Sequence, residues 1–374
     1  MSDKGAKLNT ERSGVVICGA YGHGNAGDDA ILEAIVRELR GIDPGMRITV
    51  LSRSPAETAS KYGINAIHTF DFKGLFRELR SARLYISGGG SLIQDATSRR
   101  SLWYYLHSIY SAKKSGCLVC MYGCGIGPVS RWTSRLLAKR VINGCVDLIT
   151  LRENHSLAEL GRFGVDRPRI VLTSDPALAL EPAGEEEVGE KIRLEGLRDD
   201  KKYICFALRP WKGFTEEKTR IFADAAEYAY SKYGLEAVFV PINHRSDSEA
   251  ADKVAAYIQT PFHIIREPME PALCMGVLAR MSAVVAMRLH ALIFAASGGV
   301  PIVGVDYDPK VTAFMKYIGE EGSLPFRDIS RERLQALIDA AVNSQGDGLR
   351  ENARRLREIE SRNVDELRRL LEKK

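Results

Sequence analysis

Along the first half of the chain, short apolar runs alternate with stretches whose apolar residues recur every three or four positions. Val15, Val16, Ile17 and Cys18 predict a buried strand, and "DDAILEAIVRELR" (28–40) behind it predicts a helix. The pairing recurs in "RITVL" (47–51) with "SPAETASKYG" (54–63) and in "AIHTF" (66–70) with "KGLFREL" (73–79). It recurs again in "ARLYISGGG" (82–90) with "LWYYLHSIYSAKKSG" (102–116), and in "CLVCMYGCGIGP" (117–128) with "RWTSRLLAKRVING" (131–144). Strands over "LITLR" (148–152) and "IVLTSD" (170–175) close this half. Apolar, β-rich runs separated by helices predict a parallel sheet covered on both faces.

Residues 181–202 break the pattern with a charged, apolar-poor stretch, which reads as a linker with room for a short helix. The alternation restarts at "YICFALRP" (203–210) and runs through "AVVAMRLHALIFAASGG" (283–299) and "VPIVGVDYD" (300–308) to "VTAFMKYIG" (311–319). Residues 331–374 then read as polar helix. The length of 374 residues exceeds what one core usually organises. The expected fold is therefore α/β, with two Rossmann-like domains, 14–180 and 203–330, facing across a cleft. Ligands in such folds lie beyond the carboxyl ends of the strands.

Composition narrows the partners. The formal charge is +5, and the 53 lysines and arginines are spread along the chain, which argues against nucleic acid. None of the seven cysteines pairs at zinc-like spacing; "CLVCMYGCG" reads as a strand entering a glycine turn, with buried thiols. No apolar run is long enough to span a bilayer, and no signal peptide opens the chain, so cytoplasmic residence is expected. A peripheral contact with the inner membrane face stays open: "RWTSRLLAKR" (131–140) has a basic face, either merely solvated or docked on anionic lipid.

The chemistry concentrates at strand ends. In "GAYGHGNAGDD" (19–29), glycines follow a strand as in a phosphate cradle, yet Asp28 and Asp29 stand where the anion would sit. One of them can cap the helix, and a second carboxylate beside it repels a pyrophosphate. With His23 and Asn25, the loop suits sugar hydroxyls, and either aspartate can serve as base. "SGGGSLIQD" (87–95) repeats the glycine theme and offers Ser91, Gln94 and Asp95, the last a rival base. "GCGIGP" (123–128) is a third such end, and together the three predict a cleft lined by backbone N–H groups. The second half supplies cations, Arg209 with Lys212 after one strand and Arg288 inside an apolar segment, where His290 beside it can donate to phosphate or move a proton as a catalytic residue. Buried arginines need an anion, either a protein carboxylate or a ligand bearing carboxylate and phosphate oxygens. Arg152, after "LITL", is a third candidate arm; Asp175 reads equally as part of an Asp-Pro turn. No cluster has metal-ligand spacing, so no metal and no cofactor are expected.

"GAYGHGNAGDDAI", "SGGGSLIQD", "YGCGIGP", "LRE", "SDPAL", Arg209 and "MRLHALIFAASGGVPIVGVDYDPK" together resemble the polysaccharide pyruvyl transferase family, from Gly14 to about Gly319. The likeness is greatest to its bacterial CsaB-type branch, which pyruvylates secondary cell wall polymer so that S-layer proteins can anchor. The resemblance implies the double-domain architecture of GT-B-like glycosyltransferases. It implies phosphoenolpyruvate as donor, a co-substrate rather than a cofactor. It also implies a 4,6-linked pyruvate ketal as product, on N-acetylmannosamine of a lipid-diphosphate-linked precursor. The family's donor contacts fall on Arg209, Arg288 and His290, and its acceptor motifs on Asn25, Asp28, Asp29 and Asp95. A nucleotide-sugar glycosyltransferase of the same shape is the alternative.

Overall fold

A computed structural model describes residues 12–96, 98–344, 346 and 348–372. The first sheet contains β1 (Gly14–Tyr21), β2 (Ile48–Ser52), β3 (Asn65–His68), β4 (Ala82–Gly88), β5 (Leu118–Cys124), β6 (Leu148–Leu151) and β7 (Arg169–Leu172). The second contains β8 (Lys202–Ala207), β9 (Leu235–Phe239), β10 (Phe262–Ile264), β11 (Ala283–Ala286), β12 (Ile302–Asp306) and β13 (Ser323–Pro325). Their orders are β3-β2-β1-β4-β5-β6-β7 and β10-β9-β8-β11-β12-β13, with every pairing parallel. These are two Rossmann-like domains. The strand order reverses between β1 and β4 in one sheet and between β8 and β11 in the other. Connections there diverge to opposite faces and leave a crevice at the carboxyl ends.

Side chains that alternate along each strand build separate cores. Val16 and Cys18 pack under the helices Phe72–Ser81, Arg99–Lys114, Trp132–Cys145 and Asn154–Phe163. Val15 and Ile17 face the helix Ala26–Ile42 on the other side. That helix is buried twice over. Ile31, Leu32, Ile35 and Leu39 pack on the first sheet, whereas Ala26, Ala30 and Ala34 belong to the core of the second domain. Each of the large residues contributes about 1.5–3 kcal/mol by leaving water. The alanines contribute thinness, which lets two domains share one helix. The loop before it is stitched across the cleft, with Ala26 N donating to Ile242 O at 2.9 Å and His244 N to Gly24 O at 3.2 Å.

Residues 181–202 contain the helix Glu185–Leu194, whose Val188 fills the space that a Cβ on Gly276 would need. The C-terminal helices divide between the domains. Arg331–Ser344 packs on the second sheet through Leu334 and Ile338. Arg362–Glu372 returns to the first sheet, inserting Leu367 and Leu370 beside Val15 and Ile17. All seven cysteines are buried and unpaired. Cys117 and Cys124 face one core and Cys120 the other.

Candidate active site

Four strand ends, those of β1, β4, β8 and β11, open on one cleft. On its first wall Asn25 caps the helix Ala26–Ile42: Oδ1 accepts from Gly27 N at 3.1 Å, and Nδ2 donates to Asp28 Oδ2 at 2.6 Å. The cap is therefore neither aspartate, contrary to expectation, because both already lie inside the first turn. Successive helical residues diverge by about 100°, and the aspartates accordingly part. Asp28 turns to the cleft, where a Cβ on Gly90 would stand 3.6 Å from its Oδ1. Burial, with Asp29 adding to it, raises the Asp28 carboxyl to about 6, against the opposing pull of Lys310, Arg288 and Arg152. Asp29 instead faces Lys61, 3.9 Å away, with Glu270, Glu57 and Glu33 around it.

Other acceptor-side candidates serve the wall itself. Ser91 Oγ accepts from Arg152 Nη2 at 3.1 Å, and Arg152 Nη1 donates to Asp175 Oδ2 at 2.8 Å. Arg152 is 4% exposed, so its charge is already engaged by a buried protein carboxylate. This corrects the reading of Arg152 as a donor arm. Asp95 accepts from the N–H groups of Ser130 at 2.7 Å and Arg131 at 3.3 Å, holding the 129–131 turn. Gln94 packs on Gly127. His23 is exposed at the rim beside Arg53 and Arg245. The expected cradle of free glycine N–H groups is absent at three of its positions. Gly89 N donates to Tyr122 O, Gly125 N to Gly90 O and Gly127 N to Ile93 O, at 2.9, 2.9 and 3.1 Å. These glycines let loops lie against one another.

The second wall is cationic. Arg209, two residues beyond β8, donates from Nη1 to the Tyr307 hydroxyl at 2.7 Å and stacks on Trp211 and Tyr307. Lys310 Nζ lies 5.3 Å from the centre of the Tyr307 ring. Burial would raise the Tyr307 phenol, but Lys310, Arg209 and Arg288 outweigh it and hold the group below its ordinary value. Tyr307 and Lys310 sit in "VDYDPK", where periodicity marks only a strand end; a tyrosine and a lysine flanking an Asp-Pro turn were the available signal. Lys212, by contrast, is exposed and makes no hydrogen bond, ion pair or ring contact among the described residues, so it stands outside the cluster.

Arg288 stands at the cap position of the helix Leu289–Ser297, between strand and helix as the sequence suggested. Its Nε donates to Asp247 Oδ2 at 2.8 Å, and Nη2 reaches Asp247 Oδ1 and Ser246 Oγ. The protein-carboxylate partner weighed for these arginines is thus present, and Nη1 is the nitrogen that makes no hydrogen bond among the described residues. His290 is wedged against the start of Ala26–Ile42: a Cβ on Gly27 would fall 2.0 Å from its Nδ1. Its Nε2 is buried without a hydrogen-bond partner among the described residues, and Asp175 Oδ2, at 3.8 Å, is too distant to be one. Burial lowers the imidazole to about 4; Asp175 opposes this, and Arg152, Lys310 and Arg288 reinforce it. His290 is neutral near pH 7. Among the described residues no three His, Cys, Asp or Glu side chains gather as a metal site.

The cleft thus sets a buried carboxylate, raised to about 6, opposite three cations and an uncharged imidazole. The sequence model of the polysaccharide pyruvyl transferase family matches residues 25–309, a span holding Asp28, Arg209, Arg288 and His290 and ending one residue before Lys310. The chain belongs to that family. It is 20% identical to the amylovoran biosynthesis protein AmsJ of Erwinia amylovora, over 94% of this chain and 95% of that protein. In fold it is similar to UDP-GlcNAc 2-epimerase from Neisseria meningitidis bound to UDP-GlcNAc, with a TM-score of 0.63 at 11% identity, covering 95% of this chain and all of that one. A glycosyltransferase from Rickettsia africae gives 0.61 at 11% identity, over 97% of this chain and 100% of its own. These likenesses establish the double-domain architecture. Family membership makes the chain a transferase of polysaccharide synthesis with a sugar acceptor.

Proposed function

We propose that the chain condenses phosphoenolpyruvate with two hydroxyls of a sugar, making a cyclic pyruvate ketal and releasing phosphate. The observation that supports this reading is the opposition of Asp28 to Arg209, Arg288, Lys310 and His290 across one cleft in a member of this family. Phosphoenolpyruvate carries a carboxylate and a phosphate on adjacent groups, and the cations match both. Guanidinium forks bind such oxygens bidentately, and Lys310 adds a point charge.

In the reaction, the methylene carbon of the donor takes a proton and C2 becomes electrophilic. A sugar hydroxyl adds to C2 while Asp28 removes its proton. Phosphate leaves with the C–O electron pair, and the second hydroxyl closes the ring and gives up its proton. Two hydroxyls and one enol phosphate become one ketal and one phosphate, with no net redox change. Neutral His290 donates a hydrogen bond to the departing phosphate and adds no further positive charge beside the electrophilic C2. The acceptor class is a 4,6-diol on N-acetylmannosamine carried by a lipid diphosphate, with the chain working at the cytoplasmic side. No divalent ion has a role, so turnover survives exhaustive chelation; loss that Mg²⁺ or Mn²⁺ selectively restores would refute this.

Calorimetry tests the donor. Phosphoenolpyruvate should bind the wild-type chain, and Arg209→Ala should weaken it at least about tenfold, the scale of one lost charge-assisted contact. Binding of UDP-N-acetylglucosamine with none of phosphoenolpyruvate would favour the glycosyltransferase alternative.

A further inference from the structure

The helices Arg99–Lys114 and Trp132–Cys145 lie side by side on the outer face of the first domain, away from the second. Their inward residues fill the core: Leu102, Leu106 and Ile109 from one, Ala138, Val141 and Ile142 from the other. What points outward is not the usual mixed-charge surface. The two helices carry seven lysines and arginines and no aspartate or glutamate, in a chain whose totals are 53 and 48. Among these cations Lys114, Lys139 and Arg140 have no carboxylate partner among the described residues. Between them stand large apolar groups that the core does not use. Trp132 is 74% and Leu136 57% exposed, with Trp103, Tyr110 and Leu137 also in water. A groove between the helices joins Trp103, Tyr110, Leu136 and Leu137 to Lys139 and Arg140.

We propose that this face docks on an anionic phospholipid bilayer. Aromatic and leucine side chains interspersed with lysines and arginines are the composition that enters a headgroup layer, the apolar tips inserting and the cations meeting phosphates. Charge selects this occupant over a second copy of the chain, since self-association through the face would press two unneutralised basic surfaces together. Geometry gives the docking a consequence. Trp132 opens its helix and Trp103 lies in the second turn of its own, so both stand near the carboxyl ends of β4 and β5, the end that carries the cleft. Asp95 ties the two regions, accepting from Ser130 and Arg131 just before Trp132. Delivery of a lipid-borne acceptor to that cleft rests on the reading above. The docking itself does not.

Co-sedimentation of the full chain with vesicles, in the absence of donor and acceptor, separates the two. Vesicles of phosphatidylglycerol and phosphatidylcholine in equal parts should bind the chain, phosphatidylcholine alone should not, and added salt should release it. Replacing Lys139 and Arg140 together by glutamine should weaken binding about thirtyfold, at roughly fivefold per basic residue near such a surface. Leu136→Ser should weaken it at unchanged melting temperature, because that side chain supports nothing inside. Equal binding to neutral vesicles, undiminished binding of the glutamine variant, or a lipid-free dimer that Leu136→Ser dissolves would each overturn the proposal.

Discussion

Asp28 and Asp29 are chemically identical neighbours with different surroundings, and that difference makes the sharpest test at the scale of single residues. Asp28 faces the cleft cations and Asp29 faces Lys61. Asp28→Asn should lower turnover at least about 10²-fold, as expected for loss of a general base, with little change in donor affinity. Asp29→Asn should leave turnover within a few-fold. Because the base works ionised and the Asp28 carboxyl is raised to about 6, wild-type turnover should climb as pH rises through that value and then level. A pH profile with no such inflection would remove Asp28 from the role. Arg288 needs different handling. Its partner Asp247 is 1% exposed, so Arg288→Ala strands a buried carboxylate and should cost about 3–5 kcal/mol of stability. Urea unfolding of Arg288→Ala and of Arg288→Ala with Asp247→Asn checks it, the second change recovering most of the loss.

Among the elements, the helix Ala26–Ile42 decides whether the site exists, since its first turn carries Asp28 and packs against His290 of the other domain. Gly27→Ala places a methyl within the His290 ring. Helix and histidine must separate, which should cost about 1–3 kcal/mol by overpacking and lower turnover as well. Adding His290→Ala should restore the melting temperature without restoring turnover; failure of that rescue would mean the contact is not what limits packing. At the same helix's far end, Glu38 meets the Tyr122 hydroxyl and a neighbouring carboxyl, Glu360, of the helix Leu349–Glu360. Burial holds both carboxyls above their ordinary range, with Glu360 adding to it at Glu38 and the Asn363 contact partly offsetting it at Glu360. Raised folded-state values mean that the folded chain binds more protons than the unfolded chain. This contribution to stability is complete below the unfolded carboxyl value and is lost as pH rises through the folded ones. Glu360→Gln should therefore melt higher than wild type at alkaline pH, with the gap closing at acid pH.

Across the whole molecule, the two parallel sheets and the switch-point cleft were legible because buried strands and their helices leave strong periodic signals. The helix Asn154–Phe163 and the strand β13, three residues long, were not. Both are too short or too polar for a period to emerge. Arg209, Arg288 and His290 stood out as polar interruptions of apolar segments, and all three reach the cleft. Arg152 gave the same signal and turned out to be paired with Asp175, because sequence cannot tell a carboxylate 23 positions on from one carried by a ligand. Lys310 and Tyr307 lie in a motif that by itself gives them no role, since only folding brings them to Arg209. The central claim is that these two walls join phosphoenolpyruvate to a sugar diol. The most direct measurement incubates the chain with phosphoenolpyruvate and polyprenyl-diphosphate-linked N-acetylmannosamine, then quantifies phosphate release and ketal formation by NMR. The account predicts one phosphate for each ketal, with both lost in Asp28→Asn. Release of a nucleoside diphosphate from a nucleotide sugar, with phosphoenolpyruvate untouched, would contradict it.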